Sequence, residues 1–151
     1  MKRLFVPEGK GECLTFPGAI ELTFLVPGST TDGRFALFED RVEPGIGPPR
    51  HIHENQDECF MVIEGTFLFE IEGELHQAGP GDVAFVPRKA VHAFKNIGDR
   101  AGRLRYIFSP AGAAEDMFRA FHEVEQNGEL TPDMMAKIAA GYGQKFVGPP
   151  L

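Results

Sequence analysis

The chain has 151 residues, enough for one domain with a substantial core. Hydrophobic residues make up 42% and charged ones 25%, an ordinary balance for a globular protein, and 14 Phe with no Trp point to a core built from phenylalanine. Lys plus Arg number 15 and Asp plus Glu 22, a formal net charge of −7 without basic runs, which argues against nucleic acid or an anionic membrane surface as partner.

The opening MKRLFVPEGKGECL starts on two basic residues but has no sustained apolar run, so it does not read as a secretory signal. No stretch approaches the length of a membrane span. The two cysteines, Cys13 and Cys59, form no CxxC pair and no disulfide framework, which fits a reduced, cytoplasmic setting.

From residue 12 to about 109 the text is strand after strand. ECLTF, AIELTFLV and RFALFEDRV are rich in β-branched and aromatic residues and are separated by turn chemistry: Pro17-Gly18, Pro27-Gly28 and the run ending at Gly33. QDECFMVIEG, TFLFEIEG, ELHQAG, DVAFVP, AVHAFKN and RLRYIFSP follow, with Gly65 and Gly73 punctuating hairpins. Short strands at this spacing predict a closed or sandwiched all-β domain.

Chemistry concentrates between Gly45 and Gly65 and again between Gly81 and Asn96. His51 and His53 stand two apart in a predicted strand, so they share a face with their Cα atoms roughly 6.5 to 7 Å apart. Glu58 lies past the polar turn Glu54-Asn55-Gln56-Asp57 and is expected on the next antiparallel strand; His92 sits on a later one. Three neutral imidazoles and one carboxylate suit Fe(II), Mn(II), Cu(II), Ni(II) or Zn(II). A His-x-His pair by itself also arises from ordinary surface histidines, Glu58 fits a solvated strand position, and His92 fits a satisfied core histidine. Alternation puts Phe60 and Val62 on the face of Glu58 and Phe94 on the face of His92. These apolar residues suit a core and a small-molecule pocket wall equally.

After Ser109-Pro110 the period changes from 2 to 3.6. Ala114, Met117, Phe118, Phe121 and Val124 fall on one face of a predicted amphipathic helix that Asn127-Gly128 ends. A second helix opens with Thr131 as N-cap and Pro132 as its first residue, with Met134, Met135 and Ile138 inward and Gly141 as C-cap. The tail GQKFVGPPL reads as extended, with Phe146-Val147 against the barrel. The two helices suit a cover for the barrel, a lid or a dimer contact. His122 reads as solvated or capping.

The two histidine-bearing stretches resemble the paired motifs of the cupin superfamily. Gly45, His51, His53, Glu58 and Gly65 occupy every position of the first motif, and Gly81, Pro87, His92 and Asn96 match the second. Lys89 replaces the glycine after Pro87, implying a turn without positive φ or a lysine tolerated in the left-handed region. The resemblance implies one cupin domain over residues 1–151: a jelly-roll barrel (double-stranded β-helix) at about 12–109, with the metal in its mouth, and a helical region at about 111–143. It is nearest to small quercetinase-like dioxygenases. That implies one divalent metal, Fe(II) first, on His51, His53, Glu58 and His92, an oxygenated aromatic or enol substrate, O2 as co-substrate, and Glu58 as proton acceptor. A cupin isomerase or decarboxylase on a sugar or organic acid, and a non-catalytic metal- or ligand-binding protein, share the same ligand set. Cupins commonly pair by exchanging N-terminal strands, so the edge-like ECLTF implies a homodimer.

Overall fold

The computed structural model describes residues 1–128 and 130–151. Ten strands come first: β1 Glu12–Phe16, β2 Ile20–Val26, β3 Ala36–Val42, β4 His51–His53, β5 Asp57–Glu64, β6 Phe67–Ile71, β7 Glu74–Ala78, β8 Val83–Val86, β9 His92–Asn96 and β10 Gly102–Ser109. Helices α1 (Ala114–Gln126) and α2 (Pro132–Gly141) follow, and a short strand β11 (Gln144–Phe146) comes last. The strands form two antiparallel sheets, ordered β1-β2-β3-β10-β5-β8 and β11-β4-β9-β6-β7, the double-sheet jelly roll that the motifs imply. Among the described residues, no helix is long and apolar enough to cross a membrane.

Period-two patterning fixes which side chains enter the barrel. On β3, β5 and β10 every second residue is buried: Ala36, Phe38, Asp40 and Val42; Glu58, Phe60 and Val62; Leu104, Tyr106 and Phe108. The core is therefore largely phenylalanine. Phe38, fully buried, meets Phe24, Tyr106, Phe108 and Phe118 at ring separations of 5.2 to 5.8 Å. Burying one such ring stabilises the fold by about 1.5–3 kcal/mol before packing is counted.

Two features lock the site-bearing segment to its neighbours. Asn96 donates its side-chain amide to the carbonyls of Val42 and Arg100, and its backbone carbonyl accepts from Gly45, which turns there with φ 77°. The two motifs are thus joined directly. Gly47 lies so close to β9 that an added Cβ would stand 1.8 Å from the Phe94 carbonyl oxygen, so no side chain fits.

The helices cover one end of the barrel. Helix α1 buries Ala114, Met117 and Phe121 and half-buries Phe118 and Val124, the predicted face. Helix α2 starts as expected, with the Thr131 side chain accepting from the Met134 amide and Pro132 in the first turn. Its inner face differs from expectation at one residue, Met134. Met135 and Ile138 are half-buried as expected and Ala139 is fully buried with them, whereas Met134 is exposed, because the inner face centres on Met135, Ile138 and Ala139. Gly141 is the last helical residue; Tyr142 is the cap and Gly143, at φ 79°, supplies the left-handed exit. The extended tail then becomes β11 and pairs with β4, placing Gln144 opposite His53 and Phe146 opposite His51, while Val147 stays exposed.

Candidate metal centre

His51 and His53 project inward from β4, and His92 sits directly opposite His51 on β9. Glu58 arrives differently from the sequence expectation. Strand β5 belongs to the other sheet, so the turn after His53 crosses the barrel, and Glu58 faces the three histidines from the opposite wall. The three imidazole centroids lie 4.2 to 5.2 Å apart. One ligand atom from each of His51, His53, Glu58 and His92 falls within 4.8 Å of all the others, and all four residues are buried.

Backbone carbonyls set the tautomers. The Nδ1 of His51 stands 2.8 Å from the Pro49 carbonyl oxygen, and that of His92 stands 3.1 Å from the Ala90 carbonyl oxygen. A carbonyl only accepts, so both Nδ1 atoms carry hydrogen and leave Nε2 to face the centre. Glu58 Oε2 lies 2.9 Å from His92 Nε2 and 3.1 Å from His53 Nε2. Burial alone would raise the Glu58 carboxyl, but the adjacent His53 and His92 outweigh it and hold the group at about 2. Burial likewise opposes charge on His92, yet the hydrogen bond to Glu58 raises its pKa. Burial, reinforced by the nearby His92 and His53, drives His51 well below the ordinary imidazole value.

The donor chemistry fits a divalent metal. With His92 Nδ1 committed to a carbonyl, a second proton on Nε2 must satisfy the carboxylate in the metal-free chain. A metal cation meets the same need for positive charge among converging lone pairs, and three imidazoles with one carboxylate are ordinary ligands for such an ion.

The turn before His92 contains the one departure from the motifs. Lys89 adopts φ 70°, so the lysine occupies the left-handed region, and its amide donates to the His53 carbonyl at 2.8 Å. The left-handed turn ties the two histidine strands together without glycine.

His51, His53 and Glu58 open onto a cavity of about 450 Å³, while His92 is buried beside them and does not line it. Phe60, Phe94 and Phe108 form its wall, Phe118, Phe121 and Met135 roof it from the helices, and Phe16 and Ile20 close one side. Of the three predicted wall residues, Phe60 and Phe94 line this space, with rings 5.8 Å apart. Val62 is buried in the barrel core and is not part of the lining. His122 packs edge-on against Phe16, away from the metal centre.

Four further polar residues on the lining escaped the motif reading: Asp40, Tyr106, Glu125 and Gln144. Gln144 pairs across from His53 and so stands beside a metal ligand. Tyr106 donates its hydroxyl to Asp40 Oδ1 at 3.0 Å. Burial lifts the Asp40 carboxyl to about 8, against the lowering effect of the Tyr106 hydrogen bond and with help from the charges on Glu58 and Glu39. A signal for Asp40 was present: alternation along β3 places it between Phe38 and Val42 on the inward face.

The comparisons agree with this architecture. The family described as Cupin domain matches residues 38–108, which contain all four candidate ligands. An uncharacterized protein of Aquifex aeolicus is 36% identical over 69 residues, 46% of this chain and 56% of that protein. Quercetin 2,3-dioxygenase of Bacillus subtilis is 24% identical over 140 residues, 87% of this chain and 41% of that enzyme. The matches thus span about half of either relative's length. Among solved structures, KdgF from Halomonas sp. superposes with a TM-score of 0.68 at 19% identity, over 76% of this chain and 99% of that one. A cupin-superfamily sugar phosphate isomerase from Silicibacter pomeroyi gives a TM-score of 0.59 at 25% identity, over 70% and 75% of the two chains. The two-sheet topology and the match over residues 38–108 fit a cupin-type double-stranded β-helix, and the chain carries a three-histidine, one-glutamate site of the kind that holds a divalent metal.

Proposed function

We propose that this cupin is a metal-dependent dioxygenase acting on a small oxygenated aromatic or enol substrate, with Fe(II) as its metal. The observation that carries the reading is the placement of His51, His53 and Glu58, with His92 completing their cluster, at the wall of a cavity otherwise lined mainly by aromatic and aliphatic side chains. The likeness to quercetin 2,3-dioxygenase supports it. A bound Fe(II) supplies Lewis acidity toward a substrate oxygen and the redox capacity that reaction with O2 requires.

The chain's own residues do the rest. Carbonyl-anchored Nδ1 atoms hold the rings of His51 and His92 so that Nε2 faces the centre. Glu58 is ionised and accepts the proton that the substrate hydroxyl releases on binding. Phe60, Phe94 and Phe108 orient a flat ring, and the helical roof keeps water from the reacting atoms. Among the described residues no lysine or arginine lines the cavity, which favours an uncharged aromatic over a sugar phosphate. Pairing into a homodimer through β1, an edge strand, belongs to the same proposal and is checked by sedimentation.

Oxygen uptake by the Fe(II)-loaded protein with a panel of flavonols tests the reading. Substrate-dependent consumption is expected. One equivalent of bound metal without oxygen uptake would transfer the site to an isomerase or decarboxylase reaction on a sugar or organic acid, or to ligand binding without turnover.

A further inference from the structure

The inward-facing positions of β3 call for apolar residues, and Ala36, Phe38 and Val42 comply. Asp40 breaks the pattern. It is only 4% exposed, and a buried carboxyl without full hydrogen bonding costs several kcal/mol, about 1–3 even on the mildest protein scale. Its one side-chain partner among the described residues is Tyr106, on Oδ1. Oδ2 has none, yet no fully enclosed side-chain oxygen lacks a partner, so Oδ2 retains contact with open space. Asp40 and Tyr106 both line the large cavity, so that space is the one the metal centre shares.

Register places this pair away from the metal. Phe108 lies opposite Glu58, Tyr106 opposite Phe60, and Leu104 opposite both Val62 and Asp40. Asp40 is therefore two inward-facing rungs from Glu58, roughly 13 Å along the strand direction. The interval is aromatic: Tyr106 stands 5.6 Å from Phe108 and 5.9 Å from Phe60, and those rings adjoin His53 and His92. Local rules that fail at one buried position, where a polar group faces a cavity, mark functional sites more often than core defects.

We propose that Asp40 and Tyr106 form a second polar station that binds a hydroxyl at the far end of an extended aromatic ligand whose other end is at the metal. The substrate class is then a phenol of two or three rings, carrying one oxygen function for the metal and a separate hydroxyl remote from it. A hydroxyl both donates and accepts, so it can engage Asp40 Oδ2 while Oδ1 keeps the Tyr106 hydrogen bond. The two- or three-ring length and the metal-bound end rest on the dioxygenase reading; the hydroxyl station rests on the cavity alone.

Two probe pairs separate these parts. In the first, 3-hydroxyflavone and 3,4′-dihydroxyflavone share the metal-binding end and differ by one remote hydroxyl; affinities are measured without oxygen on the metal-loaded protein. In the second, 2-naphthol and naphthalene are compared, with no metal ligand required. The hydroxylated member of each pair is expected to bind about tenfold tighter to the wild type, as one buried hydrogen bond supplies. That advantage falls below about twofold in Asp40→Leu and is largely restored in Asp40→Asn, whose amide still pairs with a hydroxyl. Tyr106→Phe, which removes a single oxygen, also diminishes it and carries the test if Asp40→Leu fails to fold. If naphthol keeps its Asp40-dependent advantage while neither flavone binds, the station stands and the flavonol reading falls. An equal hydroxyl preference in wild type and Asp40→Leu for both pairs, or none in the wild type, overturns the proposal.

Discussion

Two carboxyls are buried in the same barrel and face the same cavity, yet they are held in opposite states. Glu58 sits among imidazoles, which keep it ionised at about 2 despite its burial. Among the described residues Asp40 has a single neutral side-chain hydrogen-bond partner, Tyr106, and burial raises it to about 8. The difference comes from neighbours, since both residues are equally inaccessible at 4%. A carboxylate surrounded by histidines is prepared for a cation. A protonated carboxyl against a phenol is prepared for an uncharged, hydrogen-bonding group.

The largest effect expected from this contrast lies in the pH dependence of stability at Asp40. Its native pKa exceeds the unfolded value, so the folded chain binds more protons between pH 3.8 and about 8, and stability is lost as pH rises through that window. Asp40→Asn removes the loss. Its stability advantage over the wild type should grow by roughly 3 kcal/mol from pH 5 to pH 8, read by urea denaturation of the metal-free proteins. A constant difference across that range would break the comparison.

Glu58 should behave in the reverse sense. Its native pKa is lowered, so its contribution is present above pH 4.5 and is lost as pH falls toward about 2. In the metal-free protein, the stability of wild type relative to Glu58→Gln should decline by about 2 kcal/mol between pH 5 and pH 3. At neutral pH the same variant should bind metal about 10- to 100-fold more weakly by titration calorimetry, since an amide is a poorer ligand than a carboxylate. Equal affinities would remove Glu58 from the ligand set.

The smallest effect concerns how the site is held. Lys89 is in a left-handed conformation that glycine adopts without steric cost. Lys89→Gly should raise stability by about 0.5–1 kcal/mol in denaturant titration and leave metal stoichiometry unchanged. A loss of stability would mean that the lysine side chain itself supports the turn.

The metal centre was legible in the sequence because its spacing is local. His51 and His53 share a face by strand periodicity, and fixed glycine and asparagine positions around them meet in the turn where Asn96 bonds Gly45. What the sequence did not show was the crossing between sheets. Four polar residues between His53 and Glu58 serve a hairpin as well as a crossover, and only the packing of the whole barrel selects the second. On helix α2, Met135 and Ile138 face inward as expected but Met134 does not, for a related reason. Its alanines and methionines are apolar on more than one face, so Ala139 rather than Met134 is buried once α1 and β11 are in place. Asp40 and Tyr106 could be assigned to the inward face from alternation, but their hydrogen bond joins residues 66 apart in the chain. No local spacing encodes such a pair.

The central claim is that His51, His53, Glu58 and His92 hold one metal ion. Elemental analysis of the protein purified without added metal or chelator, and again after reconstitution with Fe(II), tests it most directly. One equivalent per chain is expected in the wild type, with nearly complete loss in His51→Ala and His92→Ala and an intact barrel by circular dichroism. Unchanged metal content in both variants, or none in the wild type after reconstitution, would contradict it.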